Sequence, residues 1–139
     1  MVEQAGTGAV EIILGFDFGI KRIGIAMGNT LTGLAQPLAV VKAIDNAARF
    51  QQIGQLISEW RPARLVVGEP RHPDGAEHEM TLRCRRFANQ LHGRFSLPVE
   101  LVDERYSSSV IPSRRGEVID DKAAAIILQQ YFDDHANHN

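Results

Sequence analysis

Two kinds of hydrophobic spacing alternate along this chain. Val10 to Phe18 is apolar, β-branched at its start and closed by Asp-Phe-Gly, a pattern that predicts a central strand. Arg22 to Met27 alternates as a strand does, and the Gly19-Ile20-Lys21 link before it is too short for a crossover helix, so the two form an antiparallel hairpin. Leu38 to Lys42 predicts a third strand that completes a meander. The period then lengthens. Phe50, Ile53, Ile57 and Trp60 recur at helical spacing behind Asp45, a capping residue, and stop before Arg61-Pro62. Leu65 to Gly68 is a short buried strand, and Ala76 to about Gly93 is an amphipathic helix with Met80, Cys84, Phe87 and Leu91 inward and arginines outward. Pro98 to Val102 is the fifth strand, and Asp120 to Asp133 the last helix, with Ala124, Ile127, Leu128 and Tyr131 as its stripe. The order βββαβαβα predicts a mixed α/β layer fold, antiparallel over the first three strands and parallel later.

Size and composition exclude several classes. A chain of 139 residues accommodates one domain, here an ordered core from about 10 to 134 and a polar tail at 135–139. No repeat or low-complexity tract appears, and no run approaches the roughly 20 apolar residues of a membrane span. The first residues lack the basic region of a secretory leader, so a cytoplasmic protein without a membrane partner is expected. Cys84 is the single cysteine, which removes an intramolecular disulfide and a cysteine-rich zinc site. The five histidines are scattered, with no ligand spacing among them. With 15 basic and 17 acidic residues the net charge is −2, which excludes a broadly basic nucleic-acid coat. Contact with a polyanion must be local, and seven arginines against four acids between Arg61 and Arg94 supply a candidate patch, although a solvated helix face gives the same pattern.

The acids carry the chemical signal. Asp17 interrupts the most hydrophobic strand, between Phe16 and Phe18, where an ionised carboxylate is costly unless a cation or several donors meet it. Glu104 follows the fifth strand and Asp120 opens the last helix. Three carboxylates at the ends of elements of one sheet suit oxygen ligation of Mg²⁺ or Mn²⁺, and two such ions about 4 Å apart activate a water and stabilise a leaving oxygen. Singly, each acid has a plainer role open to it. Asp17 fits a turn, Glu104 an ion pair with Arg105 or Arg22, and Asp120 or Asp121 a helix cap. Helical spacing does not separate Asp120 from Asp121, because both share a face with apolar residues.

Four ordered motifs then stand together: Gly15-Phe16-Asp17-Phe18-Gly19-Ile20-Lys21-Arg22-Ile23-Gly24-Ile25-Ala26; Val66-Val67-Gly68-Glu69-Pro70 with Asp74-Gly75; Val102-Asp103-Glu104-Arg105; and Ile119-Asp120 followed by Ala123-Ala124 and Ile127-Leu128-Gln129. Over about Ile12 to Asp133 they resemble the YqgF family, bacterial RNase H-like proteins described as Holliday-junction-resolvase homologues and as the nuclease maturing the 5′ end of pre-16S rRNA. The resemblance implies an RNase H-like fold and a metal-dependent nuclease leaving 5′-phosphate and 3′-hydroxyl ends. It implies Asp17, Glu104 and Asp120 as the catalytic, metal-binding acids, and so chooses Asp120 over Asp121. The partner it implies is nucleic acid, pre-rRNA or branched DNA, with ribosomal association and either a monomer or a homodimer open. Two departures stand out. Arg71-His72 replaces the family's usual Leu-Asn pair, and the segment between Arg105 and Asp120 is shorter than is typical.

Around these acids, Lys21, Arg22 and Arg105 suit phosphate contact or charge balance, Arg71 and His72 suit phosphate contact in place of the asparagine, and Ser107 with Ser108 and Ser109 suits hydrogen bonding to a backbone phosphate. Tyr106 suits stacking on a base or half-buried packing. Two other readings compete with a nuclease. The Asp-Phe-Gly turn also looks like the first phosphate loop of actin-like and sugar-kinase ATPases, which close two such domains on a nucleotide where this chain has length for one. The other is an RNase H-like module that grips rRNA without cutting it, in which Asp17 would remain costly with no ion to hold.

Overall fold

A computed structural model describes residues 10–42, 45–70, 79–103 and 120–136, with backbone alone at 120, 121 and 136. Five strands form one sheet: β1 (Ile12–Phe18), β2 (Arg22–Asn29), β3 (Ala35–Lys42), β4 (Arg64–Glu69) and β5 (Val99–Asp103), in the order β3-β2-β1-β4-β5. β1 pairs antiparallel with β2, and β2 with β3, whereas β1–β4 and β4–β5 are parallel. The mixed sheet follows the expected division. Among the described residues three helices cover it: α1 (Asn46–Trp60), α2 (Glu79–Phe95) and α3 (Asp120–Ala136).

Side-chain alternation along β1 splits the interior into two cores. Leu14 and Phe16 join Ile23, Ile25, Leu65 and Val67 under α1 and α2, with Phe18 packed against them. Phe87 of α2 is the hub of that side, its ring 4.9 Å from Phe18, 5.8 Å from Phe16 and 5.9 Å from Phe50. Ile13 faces the other way and joins Ala26, Val66 and Val102 under Ala124, Ile127, Leu128, Tyr131 and Phe132 of α3. The stripe expected for the last helix is the stripe that is buried.

Helix ends are set locally. The Asp45 carboxylate accepts the Ala48 N–H at 3.0 Å, and α1 stops at Arg61, whose left-handed φ of 50° directs its N–H to the Ile57 carbonyl before Pro62 bars continuation. Most boundaries shift by one or two residues from the sequence reading, and the two larger differences have a physical reason. β3 begins at Ala35, through Pro37, because it is an edge strand where a residue that cannot donate is tolerated, and a register shift opposite Ile25 and Ala26 leaves Leu38, next to the proline, unpaired. α3 reaches Ala136, so the polar tail begins beyond it and His135 belongs to the helix, its Nδ1 2.9 Å from the Tyr131 carbonyl oxygen.

Candidate active site

Three parallel strands end on the same side of the sheet, and their last residues are acidic or adjoin an acid. Asp17 precedes the end of β1, Glu69 closes β4 and Asp103 closes β5. In open α/β sheets ligands gather at the carboxyl ends of strands, where backbone and side chains converge without a covering layer. The sheet faces then sort these acids. Asp17 has the parity of Ile13 and Gly15, so it lies on the α3 side and is half-buried. Glu69 has the parity of Leu65 and Val67, the α2 side, where it is 7% exposed and its Oε2 accepts the Arg85 Nε–H at 2.5 Å.

Glycine at 15 governs how closely α3 approaches Asp17. A methyl group there would meet the Leu128 Cβ at 2.8 Å and the Ala124 carbonyl oxygen at 3.4 Å, so the helix rests directly on the strand backbone. Further along α3, the Phe132 ring lies over Gly28, which is opposite Ile13 in the β1–β2 ladder. α3 therefore runs back along β1, with its amino end towards Asp17. Asp120 is one helical turn before Ala124, on the line that meets Gly15, whereas Asp121 is one turn before Ala125, round towards β2 and β3. The two positions thus lie on different lines of the helix.

Two glutamines, to which the sequence reading assigned no function, tie α3 down. Gln129 accepts the Ala35 N–H at 3.0 Å and donates to the Gly33 carbonyl at 2.9 Å, while Gln130 donates to the Asp103 carbonyl at 2.9 Å. The Gln130 bond anchors α3 to the residue before Glu104. A polar pair beside an apolar stripe is the signal that marks them.

Lys21 and Arg22 are exposed in and after the β1–β2 turn, beside Asp17, which is paired with Gly24. Arg49 was also passed over. It is 7% exposed, donates from Nη2 to the Ile20 carbonyl and holds its guanidinium carbon 5.5 Å from the Phe18 ring centre. Its signal is a cation four residues before the fully buried Ile53. Arg71, His72, Glu104, Arg105, Tyr106, Ser107, Ser108 and Ser109 lie outside the described residues. Among the described residues no group of three or more His, Cys, Asp or Glu side chains forms a metal site, and no helix is long and apolar enough to cross a membrane.

A family model described as RuvX: Holliday junction resolvase matches residues 11–134. The chain belongs to this RuvX (YqgF) family. Among curated relatives of this RuvX protein, one from Burkholderia ambifaria (strain MC40-6) is 51% identical over 91% of this chain and 93% of its own length. Another, from Paraburkholderia phytofirmans, is 51% identical over 94% and 97%, and both carry the name "Putative pre-16S rRNA nuclease". Solved structures show the same RNase H-like fold. T. thermophilus RuvC in complex with a Holliday junction substrate aligns with TM-score 0.54 at 16% identity, over 91% of this chain and 96% of that one. The Fowlpox virus resolvase, in complex with its substrate Holliday junction DNA, aligns with TM-score 0.56 at 12% identity, over 89% and 98%.

Proposed function

We propose that this RuvX protein is a divalent-metal-dependent endonuclease whose substrate is structured RNA at the 5′ end of pre-16S rRNA. The observation that carries the reading is the seating of α3 on Gly15, which brings the amino end of the helix, with Asp120, towards Asp17 on one face at the carboxyl end of the sheet. Val102 also faces α3, and Glu104 follows the end of its strand in the sequence. Asp17, Glu104 and Asp120 would form the hard-oxygen donor set that suits Mg²⁺ or Mn²⁺. Bound there, such ions supply activation of water and neutralisation of charge at phosphorus. The protein supplies the rest. Its apolar surroundings hold the Asp17 carboxylate in place, Lys21, Arg22 and Arg105 orient phosphate oxygens, and Arg71 and Ser107 contact the backbone beyond the cut. The names of the 51%-identical relatives favour pre-rRNA, whereas the family description favours branched DNA, with a homodimer the form suited to a four-way junction.

Cleavage of a pre-16S 5′-leader fragment, single-stranded RNA and a four-way DNA junction, each with Mg²⁺, Mn²⁺ or EDTA, tests this directly. The rRNA leader is expected to be cut only with metal, and Asp17→Asn to slow cutting by about 10³-fold or more, the scale of several kcal/mol of lost charge stabilisation. Cutting of the junction alone would establish the resolvase reading. Binding of RNA without cutting of any substrate, unchanged in Asp17→Asn, would establish a non-catalytic rRNA-binding module instead.

A further inference from the structure

At the end of the sheet away from Asp17, about 20 Å along β1, a cavity of about 450 Å³ opens beside the last turns of α3. Ile13, Tyr131 and Phe132 form its apolar wall. Glu11, Arg64 and His135 form its charged one. The positive charge there is already met, because Arg64 donates from Nη1 to the Glu100 carboxylate at 2.7 Å and His135 holds Nε2 3.9 Å from the same group. The half-buried Glu11 carboxylate differs. Among the described residues no lysine, arginine or histidine forms an ion pair with it. Residues 1–9 and 137–139, which adjoin this end in sequence, contain no lysine or arginine. Asp133 adds charge of the same sign, its Oδ1 accepting from the Gln129 Nε2 that also donates to the Gly33 carbonyl of the cavity lining. The last carbonyls of α3 point the same way. This end of the molecule attracts cations.

Apolar surface gathers round the same opening. Leu31 and Leu34, 75% and 65% exposed, are the two most exposed large apolar side chains among the described residues, and each follows a lining residue, Thr30 or Gly33. Val10, also exposed, precedes Glu11. Leucines exposed singly carry little meaning, whereas a cluster beside a cavity marks a contact surface. The turn that presents them is fixed in advance. Asn29 Oδ1 accepts the Leu31 and Thr32 N–H groups at 3.0 and 2.9 Å, and Thr32 Oγ1 accepts the Leu34 N–H at 3.2 Å. Glu11 is fixed likewise, its N–H bonded to Thr30 Oγ1 and its carbonyl to the Thr30 N–H, each at 3.0 Å. A surface so preorganised loses little entropy on binding. Its charge then chooses among partners. Glu11, Asp133 and the carboxyl end of α3 repel phosphate, which disfavours nucleic acid, and they complement a basic protein segment. We propose that this end of the sheet is a docking surface for such a segment, whose lysine or arginine stem lies along Tyr131 and Phe132 with its head at Glu11 while apolar neighbours pack on Leu31 and Leu34. The surface stands at the far end of β1 from Asp17 and does not rest on the nuclease reading.

The test is selection of phage-displayed random peptides on the immobilised full chain, followed by titration of the selected peptides against wild type, Glu11→Gln and Leu31→Ser/Leu34→Ser. Glutamine keeps the shape of Glu11, and both leucines are exposed on a turn held by Asn29 and Thr32, so the variants are expected to fold, which circular dichroism checks. Selected peptides are expected to carry lysine or arginine beside apolar residues. They should bind about fivefold more weakly to Glu11→Gln and about tenfold or more weakly to the serine variant, and should shift the amide signals of Thr30 to Leu34 in NMR spectra. Exchanging the peptide cation for norleucine should cost wild type the same factor and Glu11→Gln nothing. Peptides without basic residues, equal binding to the serine variant, or no enriched sequence at all would overturn the proposal. Three further outcomes would overturn it by giving the surface another occupant. A wild-type dimer that dissociates in the serine variant, read by sedimentation, would assign it to a second copy. Weaker binding of labelled rRNA-leader fragment by the serine variant would assign it to RNA. Peptides selected only on a chain lacking residues 1–9 would assign it to the chain's own first residues.

Discussion

Asp17 lies between two phenylalanines that both belong to the opposite core, and the residue that lets α3 approach its strand is Gly15, two positions earlier. Gly15→Ala is expected to lose about 1–3 kcal/mol of stability, because its methyl meets Leu128 with no flexible end to yield. Cleavage should fall by more than stability explains, since the shift lifts the amino end of α3 from Asp17. Urea unfolding and rates at saturating substrate check the two separately, and Gly15→Ala/Leu128→Ala should be less destabilised than the sum of its single changes. At the far end of α3, Tyr131 lines a cavity with Arg64, its ring centre 4.0 Å from that of His135. Burial, reinforced by the Glu100 charge and opposed by Arg64, lifts the Tyr131 phenol above its ordinary value of 10.0. The unfolded chain therefore gives up this proton first. The stability is fully present below pH 10 and is lost as pH rises through the raised folded value. Tyr131→Phe should flatten that alkaline decline in urea titrations at pH 9 to about 11; an unchanged slope would place the decline elsewhere.

Among the helices, α3 carries the least regular sequence signal, yet it covers a whole core. Gln129→Leu removes both its bonds to the β2–β3 connection and leaves a part-buried N–H and carbonyl without that partner. A loss of about 1–3 kcal/mol is expected, with the amides of α3 exchanging with solvent before those of β1. Simultaneous exchange of both would show that the glutamine clamp does not set the stability of α3 separately. How much of this was legible beforehand depends on the range of the interaction. The strands and helices follow from local periodicity, and the Asp45 cap and the Arg61-Pro62 stop from single residues, so all appear in the sequence. Pro37 reads as a barrier to a strand until β3 is known to be an edge with a register shift. The line of α3 that rests on β1 is set by the contact of Gly15 with Ala124 and Leu128, more than 100 residues away in the chain. Arg49 looks like an ordinary helical arginine until α1 turns it towards Phe18. Local pattern therefore exposes the elements and the acids, while their mutual placement depends on contacts distant in sequence.

For the whole molecule, one sheet divides two cores that are completed at different points in the chain. The α1–α2 core draws on residues up to Val99, whereas the other core waits for α3, which follows every strand in chain order. A variant that stops at residue 119 should leave Ile13, Ala26, Val66 and Val102 uncovered, bind a hydrophobic dye and aggregate, and cut nothing. A monomeric, dye-silent truncation would show that α3 is dispensable for the fold. Seen during translation, the same arrangement sets a schedule. Domains form from the amino end as the chain emerges, so the strand bearing Asp17 is paired and half-covered long before its companion helix appears. A growing chain of this kind carries the strand with Asp17 while still lacking the helix that bears Asp120. The proposed acid set is therefore completed only when the last helix docks, which is a safe order for a nuclease born on a machine built of RNA.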